Sequence, residues 1–166
     1  MRTHFELFDL PVSWQIDGQR LAARYRELQR EVHPDRFAHA SSQERRLSLE
    51  LASQVNEGYR ILRDPVARAL YLLELNKIAR PNEAETIQDP EFLMEQMELR
   101  EELEDAAKNE LALDAFVARM QAILDAQGET FVQQLERMPE DAVRTAQRMQ
   151  FFQRLQQQAE QALEQF

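Results

Sequence analysis

The chain of 166 residues has no cysteine and three glycines. It also has no apolar run near the roughly 18 residues that a membrane-spanning helix needs. Without thiols there are no disulfides, thiolate nucleophiles, zinc ribbons or cysteine-held iron–sulfur clusters. Gly18, Gly58 and Gly128 lie 40 and 70 residues apart, so no Gly-rich loop can cradle a phosphate. Val, Ile and Thr together number 16, too few for a substantial sheet, whereas Leu, Ala, Glu and Gln supply 81 residues. The expected fold is all-α. The start, Met1-Arg2-Thr3-His4-Phe5-Glu6, lacks the apolar core of a signal peptide, which predicts a cytoplasmic protein that neither spans nor coats a membrane.

Charge divides the chain. Residues 1–76 carry 11 basic and 11 acidic side chains, while residues 77–166 carry 9 and 19, so the net charge of −10 belongs to the second half. That asymmetry predicts two units with different partners, and so acidic a half excludes nucleic acid as its ligand. Pro81 and Pro90 bracket a stretch without helical periodicity, so a connector is expected over 77–89, between units at 1–76 and 90–166.

In the first unit, Asp17 is an expected N-cap for a helix reaching about Val32, with Leu21, Tyr25, Leu28 and Val32 as its apolar stripe. Arg26 and Arg30 fall on the opposite face. Pro34 must end the helix, because it disfavours the helical conformation at His33. A second helix is expected from Ser41 or Ser42, with Leu47, Leu51, Val55, Gly58 and Leu62 facing the core. Asp64-Pro65 breaks it, leaving one or two turns over 68–75. Three helices follow: Pro90 to about Asn109, Leu111 to about Met138, and Glu140 to Phe166, capped first by Asp89. Short connections make them an antiparallel bundle.

His33-Pro34-Asp35 is the most informative tripeptide. Proline restricts the chain, so Asp35 is held outward beside arginines, where a carboxylate can read a partner surface at little ordering cost. His33, Asp35 and His39 offer three potential metal ligands, but no second His or Cys cluster joins them, so neither a metal nor a cofactor is expected.

Residues 5–71 resemble a J-domain, the module through which DnaJ-type proteins stimulate ATP hydrolysis by DnaK-type chaperones. The resemblance rests on Tyr25, Leu28, His33-Pro34-Asp35-Arg36-Phe37, the run from Val55 to Pro65, Arg68 and Tyr71. It implies a chaperone contact through His33, Pro34, Asp35, Arg36, Arg26, Arg30 and Arg24.

The run Phe92-Leu93-Met94-Glu95-Gln96-Met97-Glu98-Leu99-Arg100-Glu101-Glu102-Leu103 resembles the signature helix of the HscB family, the J-proteins dedicated to iron–sulfur cluster assembly. This resemblance covers the whole chain, and the lack of an N-terminal cysteine-rich segment suggests the bacterial type. It implies a C-terminal bundle that binds a scaffold of the IscU kind and delivers it to a chaperone of the HscA kind. Leu93, Met94, Met97, Glu98, Arg100, Glu101 and Phe151 would lie at that contact. Helical geometry agrees: with Phe92 at zero, Leu99, Leu103 and Ala106 lie within about 40°, whereas Leu93, Met97 and Met94 lie about 100°, 140° and 200° away. A second apolar face should therefore point outward, with Phe151 of the last helix beside it. The rival reading is a general J-domain protein whose acidic bundle binds another client. Both make the chain a binding protein, not an enzyme.

Overall fold

The computed structural model describes residues 2–81 and 89–166. Its helices are α1 (His4–Leu7), α2 (Gly18–Glu31), α3 (Ser42–Arg63), α4 (Pro65–Leu75), α5 (Pro90–Ala106), α6 (Glu110–Gln134) and α7 (Pro139–Leu163). A short 3-10 turn, Pro34–Phe37, lies between α2 and α3. The chain forms two compact units, Met1–Leu72 and Leu73–Phe166. Of the expected connector at 77–89, residues 82–88 lie outside the described residues.

Local chemistry sets the helix starts in the first unit. Asp17 accepts the backbone N–H groups of Gln19 and Arg20 at 3.0 and 3.2 Å, and Ser41 accepts that of Glu44 at 3.2 Å. Asp64 ends α3 and also accepts the N–H groups of Val66 and Ala67, with Pro65 at the first helical position. Sequence reading takes Asp64-Pro65 as a break alone. The same pair starts a further helix, so the expected one or two turns become the 11 residues of α4.

The core of this unit gathers Phe5, Phe8, Leu21, Leu28, Val55 and Leu62. Tyr25 and Tyr59 stack with centroids 3.9 Å apart, and the Tyr25 hydroxyl donates to Asn56 at 2.8 Å. Gly58 lets α1 approach α3: a Cβ there would stand 2.9 Å from a Phe8 ring carbon. The buried face of α3 runs through Ser48, Val55, Gly58 and Leu62, and the Ser48 hydroxyl donates to the Val32 carbonyl at 3.0 Å. Leu47 and Leu51, expected in the core, are exposed. The close approach of α1 at Gly58 covers the second half of α3, and the flank carrying Leu47 and Leu51 lies beyond it.

Arg68 is buried, its guanidinium 5.2 Å from the Trp14 ring centre and donating to the Trp14 and Leu62 carbonyls. Burial pushes it down to about 10, partly offset by Asp64, so it stays charged at neutral pH.

In the second unit α6 and α7 form the most extensive helix pair. Leu113, Phe116, Met120, Leu124 and Phe131 of α6 meet Ala142, Ala146, Met149, Phe152, Leu155 and Ala159 of α7. Gln156 is buried between them and donates to the Val117 carbonyl and to Gln121. Helix α5 completes a three-helix bundle by burying Phe92 and Leu99.

Candidate functional site

At the end of α2, Pro34 forces His33 into an extended conformation, φ −60° and ψ 134°. His33 Nδ1 accepts the Asp35 backbone N–H at 3.2 Å, and the His33 carbonyl accepts that of Arg36 at 3.0 Å. Together they wind the 3-10 turn. Nδ1 also lies 3.7 Å from an Asp35 carboxylate oxygen. Nδ1 is engaged with the backbone N–H, so the Asp35 carboxylate is its neighbour and not its hydrogen-bond partner. The Asp35 side chain is 93% exposed.

Arg26, Gln29, Arg30, His33 and Arg36 line one open groove beside the turn. Among the described residues, Arg26, Arg30 and Arg36 have no acidic partner. Arg24 differs: it is paired with Glu27 at 3.2 Å and Glu31 at 4.0 Å, and its Nε is buried. The structure thus gathers six of the seven expected residues at the turn and sets Arg24 apart on another face of α2. Behind the turn, Pro34 and Phe37 line a small hollow with Arg45, Ser48 and Leu49. Sequence reading singles out none of the last three for function. The signal is available in Leu47, Leu49 and Leu51, which cannot all face one core from one helix.

The second surface is on α5. Asp89 accepts the Glu91 backbone N–H at 3.1 Å through one oxygen and pairs with Arg148 at 2.7 Å through the other. The Arg148 guanidinium lies 5.4 Å from the Phe92 ring centre, which pins the start of α5 to α7. With Phe92 and Leu99 buried, Leu93 is 40% exposed and Met94 and Met97 are each 63% exposed. Glu98, Arg100 and Glu101 are exposed among them.

Phe151 departs from expectation. It is buried, meeting Phe92 edge-on at 5.6 Å between centroids, with the Arg100 guanidinium 5.4 Å from its ring centre. The helical wheel places it correctly off the α6-facing side of α7, but its own side faces α5, where its ring packs under the helix against Phe92.

Among the described residues, no three His, Asp or Glu side chains converge as metal ligands. No described helix is long and apolar enough to cross a membrane.

Residues 88–160 match the family model described as the HSCB C-terminal oligomerisation domain. The co-chaperone protein HscB homologue of Photobacterium profundum is 41% identical over 167 residues, covering 98% of each chain. The chain belongs to the HscB family. The HscB homologue of Vibrio atlanticus is 47% identical over 136 residues, 80% of each chain. Two solved HscB structures share the fold. The chaperone HscB from Vibrio cholerae gives a TM-score of 0.82 at 38% identity, covering 99% of each chain. The human co-chaperone HscB gives 0.84 at 31%, covering 96% of this chain and 81% of that one. This HscB-type co-chaperone therefore has an N-terminal J-domain helical hairpin and a C-terminal three-helix bundle.

Proposed function

We propose that this HscB-type protein captures an iron–sulfur scaffold of the IscU kind on its C-terminal bundle and delivers it to a DnaK-type chaperone of the HscA kind. The His33-Pro34-Asp35 turn stimulates that chaperone's ATP hydrolysis and so aids cluster transfer. Residues 1–76 act as the J-domain, 77–89 as the linker and 90–166 as the scaffold-binding bundle. The protein works by binding, without catalytic chemistry of its own.

The observation that carries the reading is the turn itself: a nearly fully exposed carboxylate beside three arginines that lack acidic partners among the described residues. Pro34 and the His33 contact to the Asp35 N–H hold it in place, so docking freezes little extra motion. Arg26, Arg30, Arg36 and His33 can donate to acidic groups of the chaperone while Asp35 accepts from a basic one. Arg24, paired with Glu27 and Glu31 on another face of α2, joins the contact only if that pairing opens on docking.

Leu93, Met94 and Met97 form the apolar centre of the scaffold contact, with Glu98, Arg100 and Glu101 around it and Phe151 beneath. Burying three such side chains supplies about 5–8 kcal/mol gross, and because association costs offset much of it, the polar contacts around the patch must add to it for a micromolar complex, about −8 kcal/mol.

The test is steady-state ATP hydrolysis by the cognate chaperone with the scaffold present. Wild-type protein should stimulate it, and Asp35→Ala should abolish stimulation while binding scaffold with unchanged affinity. Stimulation that survives Asp35→Ala would refute the role of the turn. Equal binding of unfolded model substrates and of the scaffold would favour a general client instead.

A further inference from the structure

With no cysteine in the chain, its six methionines are its only sulfur. Their environments differ sharply. Met120 and Met149 are fully buried in the α6–α7 core, and Met138, at the end of the loop before α7, is 47% exposed. Met94 and Met97 are the most exposed described methionines, each at 63%, and they sit three residues apart on the outward face of α5 beside Leu93. The most accessible of the described thioethers therefore coincide with the apolar docking face.

We propose that Met94 and Met97 are an oxidation site that switches scaffold binding off. The inference rests on the reading of α5 as the scaffold contact. A hydroperoxide transfers one oxygen atom to each thioether: the sulfur loses two electrons and gains an S–O bond, the peroxide O–O bond breaks, and water or an alcohol leaves. The product is a polar sulfoxide where an apolar side chain had to be desolvated, and it can be reversed by methionine sulfoxide reductases. Both residues point to solvent, so the sulfoxides do not disturb Phe92 or Leu99, and the bundle stays folded while its face changes character.

The experiment treats the full-length protein with hydrogen peroxide and maps sulfoxides by peptide mass spectrometry. It then measures binding to an IscU-type scaffold by calorimetry, before treatment, after it, and after reductase treatment. Met94 and Met97 should oxidise well before Met120 and Met149, and affinity should fall about tenfold or more with helicity unchanged and return on reduction. Each variant is compared with itself. Met138→Leu should lose affinity as wild type does, whereas the ratio of affinities before and after peroxide should be near one for Met94→Leu/Met97→Leu. Unchanged binding with both thioethers fully oxidised would overturn the switch and leave the scaffold reading standing. Loss of affinity that persists in Met94→Leu/Met97→Leu would place the effect elsewhere and also overturn it. No scaffold binding by untreated protein would remove the scaffold reading and the switch together.

Discussion

In the J-domain, the candidate contact residues are mostly charged and sit on or beside a turn wound by its own hydrogen bonds between two long helices. In the C-terminal bundle they are apolar and ride on α5, the least extensively packed of the three helices. A charged group left in water costs the fold nothing, so the turn can be extreme in exposure without loss. An exposed Leu or Met forgoes burial energy, and α5 is held by the buried Phe92 and Leu99, the half-buried Asp89–Arg148 pair and the exposed Glu102–Arg119 pair. The turn is wound by its own hydrogen bonds, whereas the start of α5 rests on Phe151 through Phe92.

The largest effect should come from cutting that support. Phe151→Ala should destabilise the bundle by about 3–5 kcal/mol, because it empties an aromatic site between Phe92 and Phe152, and chemical denaturation followed by circular dichroism measures it. It should weaken scaffold binding as a consequence. In the J-domain, Arg68→Met should cost about 2–4 kcal/mol by leaving the Trp14 and Leu62 carbonyls without their donor. Next comes the surface itself. Leu93→Ala with Met97→Ala should weaken scaffold binding by roughly 30- to 100-fold while shifting stability by less than about 0.5 kcal/mol. A matching loss of stability would show that α5 depends on its exposed face and would erase the contrast with the turn.

The smallest effect concerns pH. The hydrogen bond from Arg60 lowers the Glu57 carboxyl below its ordinary value, with burial opposing slightly. A depressed carboxylate stabilises the fold above its unfolded pKa, and that contribution is lost as pH falls through the folded value. Glu57→Gln should therefore flatten the acid side of the J-domain's stability curve only slightly, since the pair is exposed. Urea midpoints at neutral and acidic pH would show it.

What the sequence reveals follows the range of the forces involved. Asp17, Ser41 and Asp89 are legible as caps because a cap is a contact over two or three residues, and the turn at Pro34 is legible for the same reason. The surroundings of Leu47, Leu51 and Phe151 are not. A helical wheel gives the direction of a side chain but not where the covering helix ends or which second helix faces it. Arg24 is a similar case: its spacing from Arg26 and Arg30 is plain, but its capture by Glu27 and Glu31 depends on which rotamers meet. Asp64-Pro65 reads from sequence in one direction only, although the physics of capping allows one residue to end a helix and begin the next.

Trp14 is the chain's only tryptophan, and Tyr25, Tyr59 and Tyr71 are its only tyrosines. All four lie in the first compact unit, where the Trp14 indole N–H is held by the Pro65 carbonyl at 3.0 Å and its ring lies against Arg68. The chromophores are thus partitioned. Intrinsic fluorescence sees the J-domain and is blind to the bundle, while far-ultraviolet dichroism sees both. One unlabelled sample carries a built-in two-channel readout, in which the gap between the optical transitions measures how independently the halves melt.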